Sequence, residues 1–110
     1  MGESFGYGVK RVIGEVVGGF VTSVMVDAFI GTGLLPPAYV VLFSVGNMLS
    51  AVVLIAAMPL WGTIYLVGWL FGLSVMLQTG MVGILEAAVY FGVPLVVLVM
   101  RFWKMLTDWK

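Results

Sequence analysis

From Val12 to Met100 the chain carries no lysine, arginine or histidine, and apolar residues run on almost without interruption. No water-soluble fold of this size can cover such a stretch. Soluble domains carry about a quarter of their residues charged, whereas here 9% are charged and 63% hydrophobic, with a mean hydropathy of +1.21. Lipid is the solvent for most of this protein. The expected fold class is all-α: an integral membrane bundle of transmembrane helices joined by short loops.

The number of helices depends on the breaks. One crossing takes about 20 apolar residues for a hydrocarbon core of roughly 30 Å. Gly31-Thr32-Gly33-Leu34-Leu35-Pro36-Pro37 is the strongest break, because its glycines and proline pair end one helix and open the next. Met58-Pro59, followed by Trp61-Gly62, is a second, and Gln78-Thr79-Gly80 a third. If Pro59 were only a kink, Ala38 to Leu77 would form one helix of about 60 Å, twice a bilayer. The chain must turn there. The spacing therefore predicts four helices near 10–30, 37–57, 60–78 and 81–104 in one transmembrane domain over residues 1–110. Pro94 lies inside the last helix, where it removes the backbone hydrogen bond to the Tyr90 carbonyl and introduces a kink.

The apolar run from Val12 to Ile30 contains Glu15 and Asp27, and no small-x-small cleavage site follows it. It reads as a retained helix rather than a signal peptide. Lys10 and Arg11 precede the first helix, and Arg101, Lys104 and Lys110 follow the core of the last. The positive-inside rule then puts both termini in the cytoplasm, in an inner or plasma membrane, which requires an even number of crossings. Tyr39, Trp61, Trp103 and Trp109 fall near helix ends, where interfacial aromatic residues collect. Trp69, in mid-helix, is expected to pack against a neighbour.

Small residues mark the faces along which helices meet. Gly14, Gly18 and Thr22 recur every fourth residue, with Gly19 and Ser23 beside them, and Gly68 with Gly72 and Gly46 with Ser50 repeat the spacing. In lipid, helices associate by close backbone approach, which such residues permit. Packing within one bundle is the expectation. Four short helices bury little interior, so a homo-oligomer or partner membrane subunits are expected as well.

The polar residues inside the apolar span carry the functional argument. Glu15, Asp27 and Glu86 have no basic residue within that span to pair with. An acidic side chain at a helix centre costs about 2.5–3.5 kcal/mol on insertion scales, so such groups face an interior or a wet cavity. Each must be protonated, bind a cation, reach water or meet a partner. Glu15 follows Arg11 by one helical turn, which suits an interfacial ion pair; the alternative is a proton or cation site open to the cytoplasm. Asp27 precedes the Gly31 break by four residues, and Glu86 follows Gly80 by six. Both therefore lie roughly 6–9 Å inside the outer boundary, where they could share a proton or a hard cation, or separately reach headgroups and water. Asn47 is expected to form an interhelical hydrogen bond. A role in lining a pore with Ser44 and Ser50 is the less favoured reading, to which Ser74 and Gln78 could add.

Much chemistry is excluded. Without cysteine or histidine there are no disulfides, thiol nucleophiles, histidine-ligated haem or zinc sites of the usual kind. The serines have no histidine base. The Gly6-Tyr7-Gly8 and Gly31-Thr32-Gly33 spacings lack the strand-to-helix setting of a dinucleotide fingerprint. No basic cluster is large enough for nucleic acid. The expectation is a chain with no catalytic residues, metal site or cofactor, surrounded by lipid.

Gly14-Glu15-Val16-Val17-Gly18, with Tyr65 and Trp69, resembles the small multidrug resistance transporters, in which a first-helix glutamate and an aromatic lining recur. The resemblance extends to chain length and the four-helix plan. It implies a dimer in which Glu15 couples proton release to cation binding. Asp27 and Glu86 depart from that pattern, and the later helices carry no matching motif. The expected function is an oligomeric proton- or cation-handling channel or transporter. The alternatives are a non-catalytic accessory or scaffold subunit of a larger membrane complex, or a holin-like pore-former.

Overall fold

The structure is a computed structural model in which residues 2–108 are described; Trp109 and Lys110 lie outside them. It contains α1 (Gly2–Gly31), a short 3-10 turn (Pro37–Tyr39), α2 (Val40–Ala57), α3 (Pro59–Gln78) and α4 (Ile84–Asp108). Each of the four helices has a stretch long and apolar enough to cross a membrane, and no strand occurs among the described residues. The fold is an all-α four-helix membrane bundle. α1 begins well before its apolar run, through Gly6 and Gly8, and α4 continues past Arg101 to Asp108; no proline interrupts either flank.

Local chemistry places the three corners. At the end of α3, Gly80 adopts φ +78°, its N–H donates to the Leu77 carbonyl, and the Met81 N–H donates to Met76. This is a Schellman cap, which satisfies the last carbonyls and stops the helix. It consumes Met81 and Val82, so α4 starts at Ile84, later than the apolar pattern alone predicts. Gly33, with φ +71°, ends α1 in the same left-handed manner, its N–H donating to Ile30. Between α2 and α3 only Met58 intervenes. The turn is so tight that a Cβ added to Gly62 would lie 2.3 Å from the Ile55 backbone nitrogen.

α3 is the centre of the bundle. It packs against α1, α2 and α4; α2 and α4 also meet, whereas no described residue of α1 comes within 8 Å (Cα to Cα) of α4 or α2. Thus α2, α3 and α4 form a cluster, and α1 lies along the free side of α3. Small residues set that contact. A Cβ on Gly68 would lie 2.3 Å from Ser23 Cβ, one on Gly18 would lie 2.6 Å from the Trp61 ring, and one on Gly72 would lie 2.7 Å from Ile30. Gly14 and Gly46 are different: each faces open space. Gly14 sits one turn below Gly18 and is exposed, off the buried stripe of α1 that runs through Glu15, Gly19, Ser23 and Ile30. Gly46 lies off the buried stripe of α2, which runs through Val40, Ser44, Asn47, Ala51 and Ile55.

Three aromatic residues on one stripe of α3 hold the neighbours. Trp61 Nε1 donates to Thr22 Oγ1 of α1 at 3.2 Å, Tyr65 Oη donates to Asn47 Oδ1 of α2, and Trp69 Nε1 donates to the Tyr90 carbonyl of α4 at 3.1 Å. The last bond answers the proline in α4. Pro94 has no N–H to offer Tyr90, and the buried indole supplies the missing donor. Trp69 also meets Phe43 edge-on at 6.2 Å, and Phe43 meets Phe29 at 5.5 Å, so ring contact reaches α1 from α2. Trp61 thus turns inward rather than standing in an interfacial belt. Tyr39 and Trp103 remain exposed near helix ends.

Candidate functional site

Two clefts bring polar residues of the apolar span to the surface. The larger, of about 520 Å³, lies between α1, α2 and α3 toward the α2–α3 corner, and Thr22, Ser50, Trp61 and Tyr65 supply its polar edges. These groups are satisfied internally. Thr22 Oγ1 donates to the Gly18 carbonyl, Ser50 Oγ to Gly46, and Asn47 Nδ2 to Phe43. The cleft therefore offers aromatic faces and apolar wall more than free hydrogen-bonding groups. Ser44 is fully buried on α2 with its Oγ unpartnered, and it does not line this cleft.

The second cleft, of about 400 Å³, opens at the end of the bundle where α1 and α3 begin and α4 finishes. Arg11 and Glu15 enter it from α1, Pro59 and Leu60 from α3, and Arg101, Phe102 and Met105 from α4. Glu15 is 8% exposed, and its Oε1 has no hydrogen-bond partner. Arg101 Nε is likewise buried and unpartnered. The ion pair expected from the Arg11–Glu15 spacing does not supply a partner for Oε1: Arg11 is exposed, while the carboxylate turns inward. Helical spacing brings two side chains to one face; it does not decide which of them the neighbouring helix covers.

Asp27 and Glu86 are not brought together. Asp27 is half-buried against α3, with Oδ1 unpartnered and 2.9 Å from where a Gly72 Cβ would stand. Glu86 is exposed in the first turn of α4. Their helices make no approach because α3 lies between them, so equal depth does not become proximity. No group of three or more acidic residues able to hold a metal ion occurs among the described residues. Ser74 and Gln78 are exposed; Ser74 edges a shallow apolar cleft between α3 and α4.

Arg101 is the site residue that sequence reasoning used only for topology. Its signal was its position, directly after the uninterrupted apolar run that ends at Met100 and at the depth expected for the start of α1. The stripe of Trp61, Tyr65 and Trp69 was also visible as a four-residue spacing of aromatic donors.

Comparison of the chain with protein families, with curated proteins and with solved structures finds no match.

Proposed function

We propose that the chain is a small proton- or cation-handling transporter or channel that works as an oligomer in an inner or plasma membrane, with both termini in the cytoplasm. The observation that carries this reading is Glu15, a buried carboxylate with an unpartnered oxygen in a cleft open at one end of the bundle. A buried carboxylate with no partner in its own chain must be protonated, cation-bound, wet or met by another subunit. Exchange among those states is what a proton or cation carrier requires. The orientation is supported by Lys10, Arg11, Arg101 and Lys104, which gather at the end holding this cleft. Oligomerisation is supported by the outer helices: only 22% of the apolar stretch of α1 and 11% of that of α4 are buried.

Liposomes containing only this protein test the reading through proton and cation flux under an imposed gradient. Flux is expected from the wild type, is lost in Glu15→Gln, and persists in Glu86→Gln. Absence of flux from folded wild-type protein, together with a stoichiometric membrane partner on purification, would transfer the role to an accessory subunit. Lysis on controlled expression would instead indicate a holin-like pore.

A further inference from the structure

The second cleft holds two side chains of opposite charge, each with one buried and unpartnered polar atom. Glu15 and Arg101 both line this space, and Glu15 Oε1 and Arg101 Nε are each buried without a hydrogen-bond partner. A buried polar atom without a partner is costly, more so when charged. A simple cation would satisfy the carboxylate and leave the guanidinium orphaned; inorganic phosphate would do the reverse. A ligand that answers both carries an anion and a cation a short distance apart. We propose that this cleft binds the headgroup of an amine-bearing phospholipid of the phosphatidylethanolamine kind, with its phosphate on Arg101 and Arg11 and its ammonium on Glu15.

Three further features favour a lipid over a soluble zwitterion. The walls beside the charges are apolar, formed by Leu60, Phe102 and Met105, and can accept the upper part of acyl chains. Pro59 opens α3, and Arg101 directly follows the apolar run of α4, so the cleft stands at headgroup level. Among the described residues, no Cα of α1 lies within 8 Å of a Cα of α4, so the two helices flank the cleft with side chains and do not close it by backbone contact. Its volume of about 400 Å³ falls within the roughly 300–1,000 Å³ typical of small-molecule sites. A primary ammonium brings three N–H donors to the carboxylate, whereas a trimethylated choline brings none, and that difference sets the selectivity. This inference rests on the cleft and does not require the chain to transport anything.

The test is lipid retention, read by native mass spectrometry of the full chain. The protein is equilibrated with equal amounts of phosphatidylethanolamine, phosphatidylcholine and phosphatidylglycerol carrying identical acyl chains. Phosphatidylethanolamine is expected to be retained about tenfold over either competitor, the scale of one charge-assisted hydrogen bond. Glu15→Gln should reduce it to the level of phosphatidylcholine, Glu15→Asp should keep part of the preference, and Arg101→Gln should weaken retention of all three. Soluble phosphoethanolamine, which has the same charged groups without acyl chains, should not displace the lipid. Equal retention of phosphatidylethanolamine and phosphatidylcholine by the wild type would overturn the proposal, as would a preference for phosphatidylglycerol. Displacement by soluble phosphoethanolamine would overturn the assignment to a lipid. The wild-type comparison decides even if a variant fails to fold, and no gradient or flux enters it.

Discussion

α3 and α4 are almost equally apolar, yet 44% of the apolar stretch of α3 is buried against 11% of that of α4. In water, such a difference would follow from hydrophobicity. In a bilayer it cannot, because lipid is as apolar as leucine and gives helices no hydrophobic reason to associate. What separates the two helices is the identity of a few residues. α3 presents Gly62, Gly68 and Gly72 to its neighbours, where the Ile55 backbone, Ser23, and the Ile30 and Asp27 side chains occupy the space a Cβ would need. It also presents Trp61, Tyr65 and Trp69, each donating one hydrogen bond to a different helix. α4 contributes a carbonyl and the fully buried Pro94 to this arrangement, and leaves Val89, Val96 and Val99 exposed. Close approach and polar-tipped aromatic residues, rather than apolarity, make a helix central.

That comparison can be broken most severely at Gly62. Gly62→Ala would push a methyl into the Ile55 backbone, and backbone cannot rotate away as a side chain can. A loss of about 3 kcal/mol is expected, the upper end of the usual cost of overpacking, measured by denaturant unfolding in micelles. Stability equal to wild type would mean that the α2–α3 corner is looser than described. Trp69→Phe should come next, at about 1–3 kcal/mol, because it strips a buried carbonyl of its donor. Pro94→Ala in the same chain returns a backbone N–H to Tyr90, so the double variant should recover part of that loss. Strict additivity in such a cycle would show that the indole and the proline are not linked.

Tyr65→Phe should cost less, about 0.5–2 kcal/mol, the range for interhelical hydrogen bonds in membranes. Asn47 would keep its bond to the Phe43 carbonyl, which limits the damage. The smallest effect belongs to α4. A methyl on Gly92 meets nothing within 4 Å, so Gly92→Ala should change the stability of the single chain by less than about 0.5 kcal/mol. If Gly92→Ala instead lowered the oligomeric state seen by light scattering, the exposed face of α4 would be central to an assembly, and the contrast with α3 would narrow.

The corners and the packing stripes differ in how far they could be read in advance. Gly33, Pro59 and Gly80 each mark a corner, because positive φ and a missing N–H are properties of single residues. The small-residue stripes were only half legible. Gly14 and Gly18 have the same spacing and character, but only the second meets α3, through the Trp61 ring, while the first faces open space. Asp27 and Glu86 share a depth, which sequence distance from the breaks can give, but not a neighbourhood, which depends on the helix standing between them. Arg101 and Glu15 are far apart in the chain, and nothing local to either indicates that they line one cleft.

By itself, the sequence determined that the chain lives in lipid, where it turns from one helix to the next, and which few polar residues must be accounted for there. These follow from composition and from backbone chemistry over a turn or two of helix. Only the tertiary structure decided that α3 is the hub, that Glu15 turns inward from Arg11, and that Arg101 joins it in one cleft. Lateral arrangement in a bilayer is set by shape and hydrogen bonding between distant segments, to which a uniformly apolar pattern gives no clue.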